Sequence, residues 1–148
     1  MTKALIGAGC FWGIEEYYRK LKGVIVTKVG YSGGNTAKPT YEEVCSGKTG
    51  HAEVVQIKFD EETISFQQIL NHFWKCHDPT QLNRQGFDVG RQYRSAIFYY
   101  SNEQHNDALE SKKQIQQNLQ KTIVTEITPA QKFYLAEDYH QLYIFKRV

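Results

Sequence analysis

The chain opens on a strand that turns abruptly into a helix. Lys3 to Ile6 are mostly apolar and β-compatible, Gly7 and Gly9 permit a sharp turn, and Ile14, Tyr17, Tyr18 and Leu21 then recur at helical spacing. This junction constrains the rest of the chain, because it sets Cys10, with Phe11 and Trp12 directly after it, at a helix N-terminus. There the unpaired amides and the positive end of the helix dipole favour an anion, so a thiol pKa lowered to roughly 3.5 to 7.5 is expected. The helix agrees with its own dipole. Glu15 and Glu16 come early and Arg19, Lys20 and Lys22 late, with i,i+4 pairs Glu15 to Arg19 and Glu16 to Lys20 expected and Gly23 as the stop.

Two plainer readings of Cys10 compete. A cysteine among apolar residues is often buried and inert, but a filler does not need a turn that exposes it. A leader ending in cysteine would need an apolar stretch of roughly 7 to 15 residues, and the run before Cys10 covers only Ala4 to Gly9.

Length and charge narrow the rest. A chain of 148 residues is expected to form one domain, residues 1–148, with folding burying roughly 68 to 70% of the unfolded surface. Its 18 basic and 16 acidic residues are mixed along the chain, so nucleic acid is not an expected partner. No run of about 18 apolar residues exists, and no membrane span is expected. Three cysteines, Cys10, Cys45 and Cys76, fit no zinc ribbon or disulfide framework. With no targeting segment in view, a reducing cytoplasm is the expected compartment.

Val24 to Tyr31 is β-rich and ends in the flexible Ser32-Gly33-Gly34-Asn35 loop. Thr40 and Glu43 then make a capping box for a short helix closed by Ser46-Gly47, which puts Tyr41 at its first position, facing outward. Cys45, in its last turn, reads as a small buried hydrophobe. In the clearest strand, Val55, Ile57 and Phe59 alternate with Val54, Gln56 and Lys58, and period two puts Glu53 on the Val55 face. An acid on the apolar side is either anchored by a structural hydrogen bond or kept protonated by desolvation, which raises its pKa.

Ser65 and Gln68 form a second capping box, with Ile64 and Ile69 as staple and Phe66, Ile69, Leu70, Phe73 and Trp74 as a buried stripe up to Pro79. Asp78 to Tyr93 is a polar, glycine-punctuated segment of the kind that carries function. Arg94 to Tyr100 reads as a strand, Ser101 caps a surface helix with a sparse stripe of Ala108, Ile115 and Leu119, and Thr122 to Thr128 reads as a further strand. The order of elements predicts an α+β two-layer sandwich, a ferredoxin-like core with helices packed on a mainly antiparallel sheet.

Two other constellations use the same residues. His72, Cys76 and His77 share a helical face, but no second ligand pair has suitable spacing and the Asp78-Pro79 break comes next, so no metal is expected. A cysteine hydrolase would need a histidine to activate Cys10, and His51 is the candidate.

The blocks G-C-F-W-G at Gly9 to Gly13, G-Y-S-G-G at Gly30 to Gly34, Y-E-E-V-C-S-G at Tyr41 to Gly47 and G-H-A-E at Gly50 to Glu53 stand in this order. After them come H-D-P-T at His77 to Thr80, D-V-G-R-Q-Y-R-S at Asp88 to Ser95, and Tyr139-His140-Gln141. On these blocks the chain resembles the A-type methionine sulfoxide reductases, peptide-methionine (S)-S-oxide reductases, over nearly its whole length. The resemblance implies that Cys10 attacks the sulfoxide sulfur, that Phe11 and Trp12 hold the substrate methyl group, and that Glu53, with Tyr41 and Tyr93, hydrogen-bonds and protonates the oxygen. Asp88 looks like the family's polar substrate-site residue. The implied partners are oxidised proteins or peptides containing methionine S-sulfoxide, with no cofactor, and a thiol that restores the Cys10 sulfenic acid.

Many members of that family carry recycling cysteines after the tyrosine-histidine-glutamine block, and this chain has no cysteine beyond Cys76. Cys45 is expected to be inert, and Cys76, beside the polar segment, is the internal candidate. Direct reduction by an external thiol such as glutathione, glutaredoxin or thioredoxin ranks above it. A binding module that uses Phe11, Trp12 and the tyrosines as an aromatic cage for a methylated ligand is the alternative from another class.

Overall fold

The computed structural model describes residues 2–147. A mixed six-stranded sheet, in the order β7-β6-β1-β3-β2-β8, is built from β1 (Thr2–Ala8), β2 (Val24–Ser32), β3 (Ala52–Phe59), β6 (Ser95–Tyr99), β7 (Glu126–Pro129) and β8 (Tyr134–Leu135). Four of its five pairings are antiparallel, and only β6 with β7 is parallel. The helices are α1 (Phe11–Arg19), α2 (Tyr41–Cys45), α3 (Phe66–Lys75) and α4 (Asn102–Gln116), and the short hairpin of β4 (Arg84–Gln85) and β5 (Asp88–Val89) stands apart from the main sheet. The fold is thus α+β with a mainly antiparallel sheet, as its periodicities predict.

Strand alternation divides the core into two faces. Ile6, Val55, Ile57, Phe59 and Ile97 meet Ile14, Tyr18, Ile69, Leu70 and Phe73 in the main core, while Leu5, Ala52, Val54, Ala96 and Phe98 form a smaller cluster covered by Ala130 and Phe133. Both predicted capping boxes are present. The Thr40 hydroxyl accepts the Glu43 amide while the Glu43 carboxylate accepts the Thr40 amide, and Ser65 and Gln68 do the same.

Three local expectations are corrected. Glu15 does not pair with Arg19: it is buried, where it accepts the Thr27 hydroxyl (2.8 Å) and the Leu142 amide (2.7 Å), and burial raises its pKa. Arg19 binds Glu16 instead, and Glu16 also makes the expected pair with Lys20. Residues 122–125 are not strand, because the Val124 amide goes to the Pro79 carbonyl and the Ile123 amide to Gln116, so β7 begins only at Glu126. The polar 78–93 segment contains the β4–β5 hairpin and a 3-10 turn at Arg91–Tyr93. Leu119 lies past the end of α4, whose buried residues are Gln104 and Ala108.

Helix α2, five residues long, is too short to persist without its ends tied. Its box and the Glu137 carboxylate, which accepts the Tyr41 amide (3.0 Å), do the tying. Thr40→Ala is therefore expected to destabilise the protein by about 1 kcal/mol, read as a lower urea midpoint at unchanged slope.

Candidate active site

Strand β1 ends at Ala8, and Gly9 takes φ 95 to turn the chain into α1. Only glycine fits there, because a Cβ would also come within 2.9 Å of the Gln85 side chain. Cys10 is consequently the N-cap of α1, as expected. The first helical amide, that of Phe11, donates to Glu53 Oε1 (3.2 Å), which binds the helix start to the mouth of β3. Glu53 Oε2 is buried and has no partner among the described residues.

The thiol is not the lowered one that its position alone suggests. Half-burial pushes Cys10 up to about 11, helped by the charges of Glu53 and Asp88, and the pull of the Trp12 and Gly13 amides at the helix start is the smaller effect. Glu53 is pushed up to about 8 by burial first, with the Phe11 amide opposing and Asp88 adding to the rise. At neutral pH the site therefore holds a thiol beside a protonated carboxylic acid.

Two phenols border the acid. Tyr93 is pushed up to about 12 by burial and then by Glu53, Cys45, Asp88 and Cys10, and Tyr41 is raised still further by burial. Both stay neutral hydrogen-bond donors at physiological pH. Tyr41 does not face outward as expected: its ring packs on His140 (centroids 4.5 Å apart) and against the core. Asp88, exposed at the start of β5, is near enough for its charge to act on both Cys10 and Glu53.

The two rings after Cys10 take different places. Phe11 is buried between Tyr31 (5.7 Å) and His140 (5.2 Å), whereas Trp12 is half-exposed and stacks face to face on Tyr143 (3.7 Å). An aromatic cage would need those faces free. The Trp12 indole N–H donates to His140 Nδ1 (2.8 Å), which fixes the histidine proton on the other nitrogen and holds the indole edge.

The strap that does this, residues 137–142, is not legible from reasoning along the chain. Glu137 accepts the Tyr31 hydroxyl (2.9 Å) and the Tyr41 amide, and Gln141 matches both backbone groups of Val29 as a neighbouring strand would. Only the Tyr139-His140-Gln141 block marks the region, and nothing in its spacing states these partners.

Cys45 is exposed, not buried as expected, because α2 is a single turn over the site with little packed beyond it. Cys76 is half-buried, donates to the Phe73 carbonyl (3.3 Å) and is pushed up to about 12 by burial. His51 accepts the Gly34 amide on Nδ1 (3.0 Å), so its proton is on Nε2 and goes to the Thr36 carbonyl (2.7 Å). With both nitrogens engaged it cannot act as base for Cys10. His72 bonds the Tyr17 hydroxyl, and His77 is held between the Phe73 carbonyl and the Ser95 hydroxyl. No helix among the described residues is long and apolar enough to cross a membrane.

An α+β fold that brings a helix-start thiol against a neutral acid and two phenols has the layout of a thiol-dependent enzyme. Comparison with known proteins then fixes the family. Residues 2–148 match the family "Peptide methionine sulfoxide reductase", and the chain belongs to it. It is 55% identical over 149 residues to the peptide methionine sulfoxide reductase MsrA of Methanosarcina acetivorans, an alignment covering 99% of this chain and 79% of that relative. It is similar in structure to reduced Mxr1 from Saccharomyces cerevisiae, with a TM-score of 0.94 at 37% identity, covering 98% of this chain and 84% of the other. Mxr1 in complex with Trx2 also matches, at a TM-score of 0.69 and 26% identity over 96% of this chain and 84% of that one.

The raised acid has a consequence for stability. Glu53 keeps its proton to about pH 8 when folded and only to about 4.5 when unfolded, so its contribution is fully present below pH 4.5 and is lost as pH rises toward 8. Glu53→Gln, neutral throughout, should gain on the parent across that window, by on the order of 3 to 5 kcal/mol in total. Urea unfolding at pH 4, 6 and 9 checks this, and a pH-independent difference would contradict the shift.

Proposed function

We propose that the protein reduces methionine (S)-sulfoxide, in proteins and as the free amino acid, to methionine, and so repairs oxidised proteins. The observation that carries this reading is the buried, proton-holding Glu53, with one oxygen tied to the Phe11 amide and the other free, at the helix start that bears Cys10. Membership of the family supports it.

In this reading the Glu53 proton goes to the sulfoxide oxygen, while Tyr41 and Tyr93 hydrogen-bond it and Trp12 and Phe11 border the methyl group. Asp88 binds polar groups of the substrate. Cys10 sulfur attacks, the sulfur–oxygen bond of the substrate breaks, and oxygen passes to Cys10. Two electrons go from the thiol to the sulfoxide. The Glu53 proton becomes that of the sulfenic acid, the thiol proton returns to Glu53, and methionine leaves. A thiol then condenses with the sulfenic acid, releasing water, and a second thiol resolves the mixed disulfide.

Regeneration follows a one-thiol cycle. Cys76, tied to a carbonyl and held protonated, is a poor resolving group. The complex of the related Mxr1 with Trx2 supports a thioredoxin as reductant, with glutaredoxin or glutathione as further thiol donors. A reducing cytoplasm suits three free cysteines. We read residues 1–148 as one reductase domain, and the order β6-β1-β3-β2 supports a ferredoxin-like core.

Reduced protein mixed with a methionine S-sulfoxide peptide is expected to give one methionine per chain and an oxidised Cys10 by mass spectrometry, with the R-epimer untouched; unchanged peptide would reject the reading. In the same assay Glu53→Gln should lower the single-turnover rate by about 10² to 10⁴, and a loss within about threefold would remove Glu53 from the chemistry. The parent rate should fall above about pH 8 as Glu53 ionises. Counting free thiols after oxidation should find one lost and a trappable sulfenic acid, whereas a cross-link from Cys10 to Cys45 or Cys76 would replace the one-thiol cycle.

A further inference from the structure

We propose that Phe87, at the tip of the β4–β5 hairpin, binds residues flanking methionine sulfoxide in a polypeptide substrate and so adds to the affinity for that substrate alone. This rests on the reductase reading above.

Phe87 is wholly exposed, at 103% relative to a free residue, and Leu82 (66%) and Val89 (67%) in the same segment are exposed too. Gly86 and Phe87 form the two-residue loop between the paired Gln85 and Asp88. Gly86, at φ 60, supplies the left-handed backbone that such a turn needs at its first central position. The second position asks for no apolar side chain, and turn positions favour small polar ones. A phenylalanine there adds nothing to folding, because folding leaves it in water.

The hairpin is seated on the site. Gln85 fills the space beside Gly9, and the Asp88 charge reaches Cys10 and Glu53. Phe87 is the next residue along, with its Cα about 3.8 Å from that of Asp88. An extended peptide advances about 3.3 Å per residue, so one whose sulfoxide sits at Cys10 brings its neighbouring residues to this ring. A free amino acid ends before it. Asp88 is polar and its neighbour apolar, so the fitting occupant is an extended segment with aliphatic residues beside the sulfoxide. Covering an exposed phenylalanine contributes about tenfold or more in affinity.

The test compares single turnover, without reductant, on acetyl-Ala-Leu-Met(O)-Leu-Ala-amide as S-sulfoxide and on free methionine S-sulfoxide. Phe87→Ser is expected to raise the half-saturating peptide concentration about tenfold, leaving the saturating rate and all kinetics on the free amino acid unchanged, and Phe87→Leu should restore most of the peptide affinity. Equal peptide kinetics in the parent and Phe87→Ser overturn the proposal. So does an equal loss on both substrates, which would mark a disturbed hairpin. A loss confined to thioredoxin-coupled turnover would assign the tip to the reductant, and a parent dimer dissociated by Phe87→Ser in sedimentation would assign it to a second copy; either overturns the proposal. A parent inactive on both substrates rejects the reductase reading itself.

Discussion

The hydrogen bond from the Phe11 amide to Glu53 joins the two parts of the site that must stay together. A helix start has several unpaired amides, and here they are divided: the first serves the carboxyl, the next two act on the Cys10 sulfur. Neither group receives enough to ionise at neutral pH, since burial outweighs the amides for both. A helix dipole acting on one exposed thiol would yield a thiolate. Shared with a buried acid, it leaves a thiol and a neutral carboxyl side by side.

That bond fixes only one point of α1, and the strap of residues 137–142 fixes the rest. His140 takes the Trp12 indole, the Leu142 amide goes to Glu15 in the middle of the helix, and Gln141 continues the ladder of β2 through a side chain. Glu137 meanwhile holds the start of α2 and the Tyr31 phenol. Hydrogen bonds between neutral groups contribute roughly 0.5 to 1.5 kcal/mol each and those to a charged group such as the Glu137 carboxylate roughly 1.5 to 3, so this segment has a large share in the order of the site. It brings α1, α2 and β2 to one register, with His140 buried against Phe11 at the margin of the main core.

The elements legible in the sequence are those written in short range. Period two in Val54 to Phe59 and period 3.6 in Phe66 to Trp74 state which side is buried, and the boxes at Thr40 and Ser65 state where helices begin. The same alternation turns Glu53 toward the core. Features set by distant partners are not legible in this way. Glu15 has an apparent mate four residues away, yet Thr27 and Leu142 take it once α1 lies on the sheet. Cys45 resembles filler only if its helix is covered on every side, and the fold leaves that side open. The helix alone would make Cys10 a thiolate, and what raises it is burial in the folded chain together with the charges of Glu53 and Asp88, which lie far along the sequence.

The titration of the two groups bears on the order of events in the proposed reaction. A charged Glu53 raises the Cys10 pKa, so a state with both ionised is the least favoured one. Glu53 cannot surrender its proton to the sulfoxide and wait while Cys10 also loses its own, because the new carboxylate would hold the thiol proton more tightly. Proton donation to oxygen and return of the thiol proton to Glu53 must therefore be closely coupled with attack. Tyr41 and Tyr93, held neutral by the same burial, can steady the oxygen throughout without exchanging protons. The net charge of the site is then the same before and after oxygen transfer, which suits a half-buried cluster whose substrate and product are both uncharged at the reacting atoms.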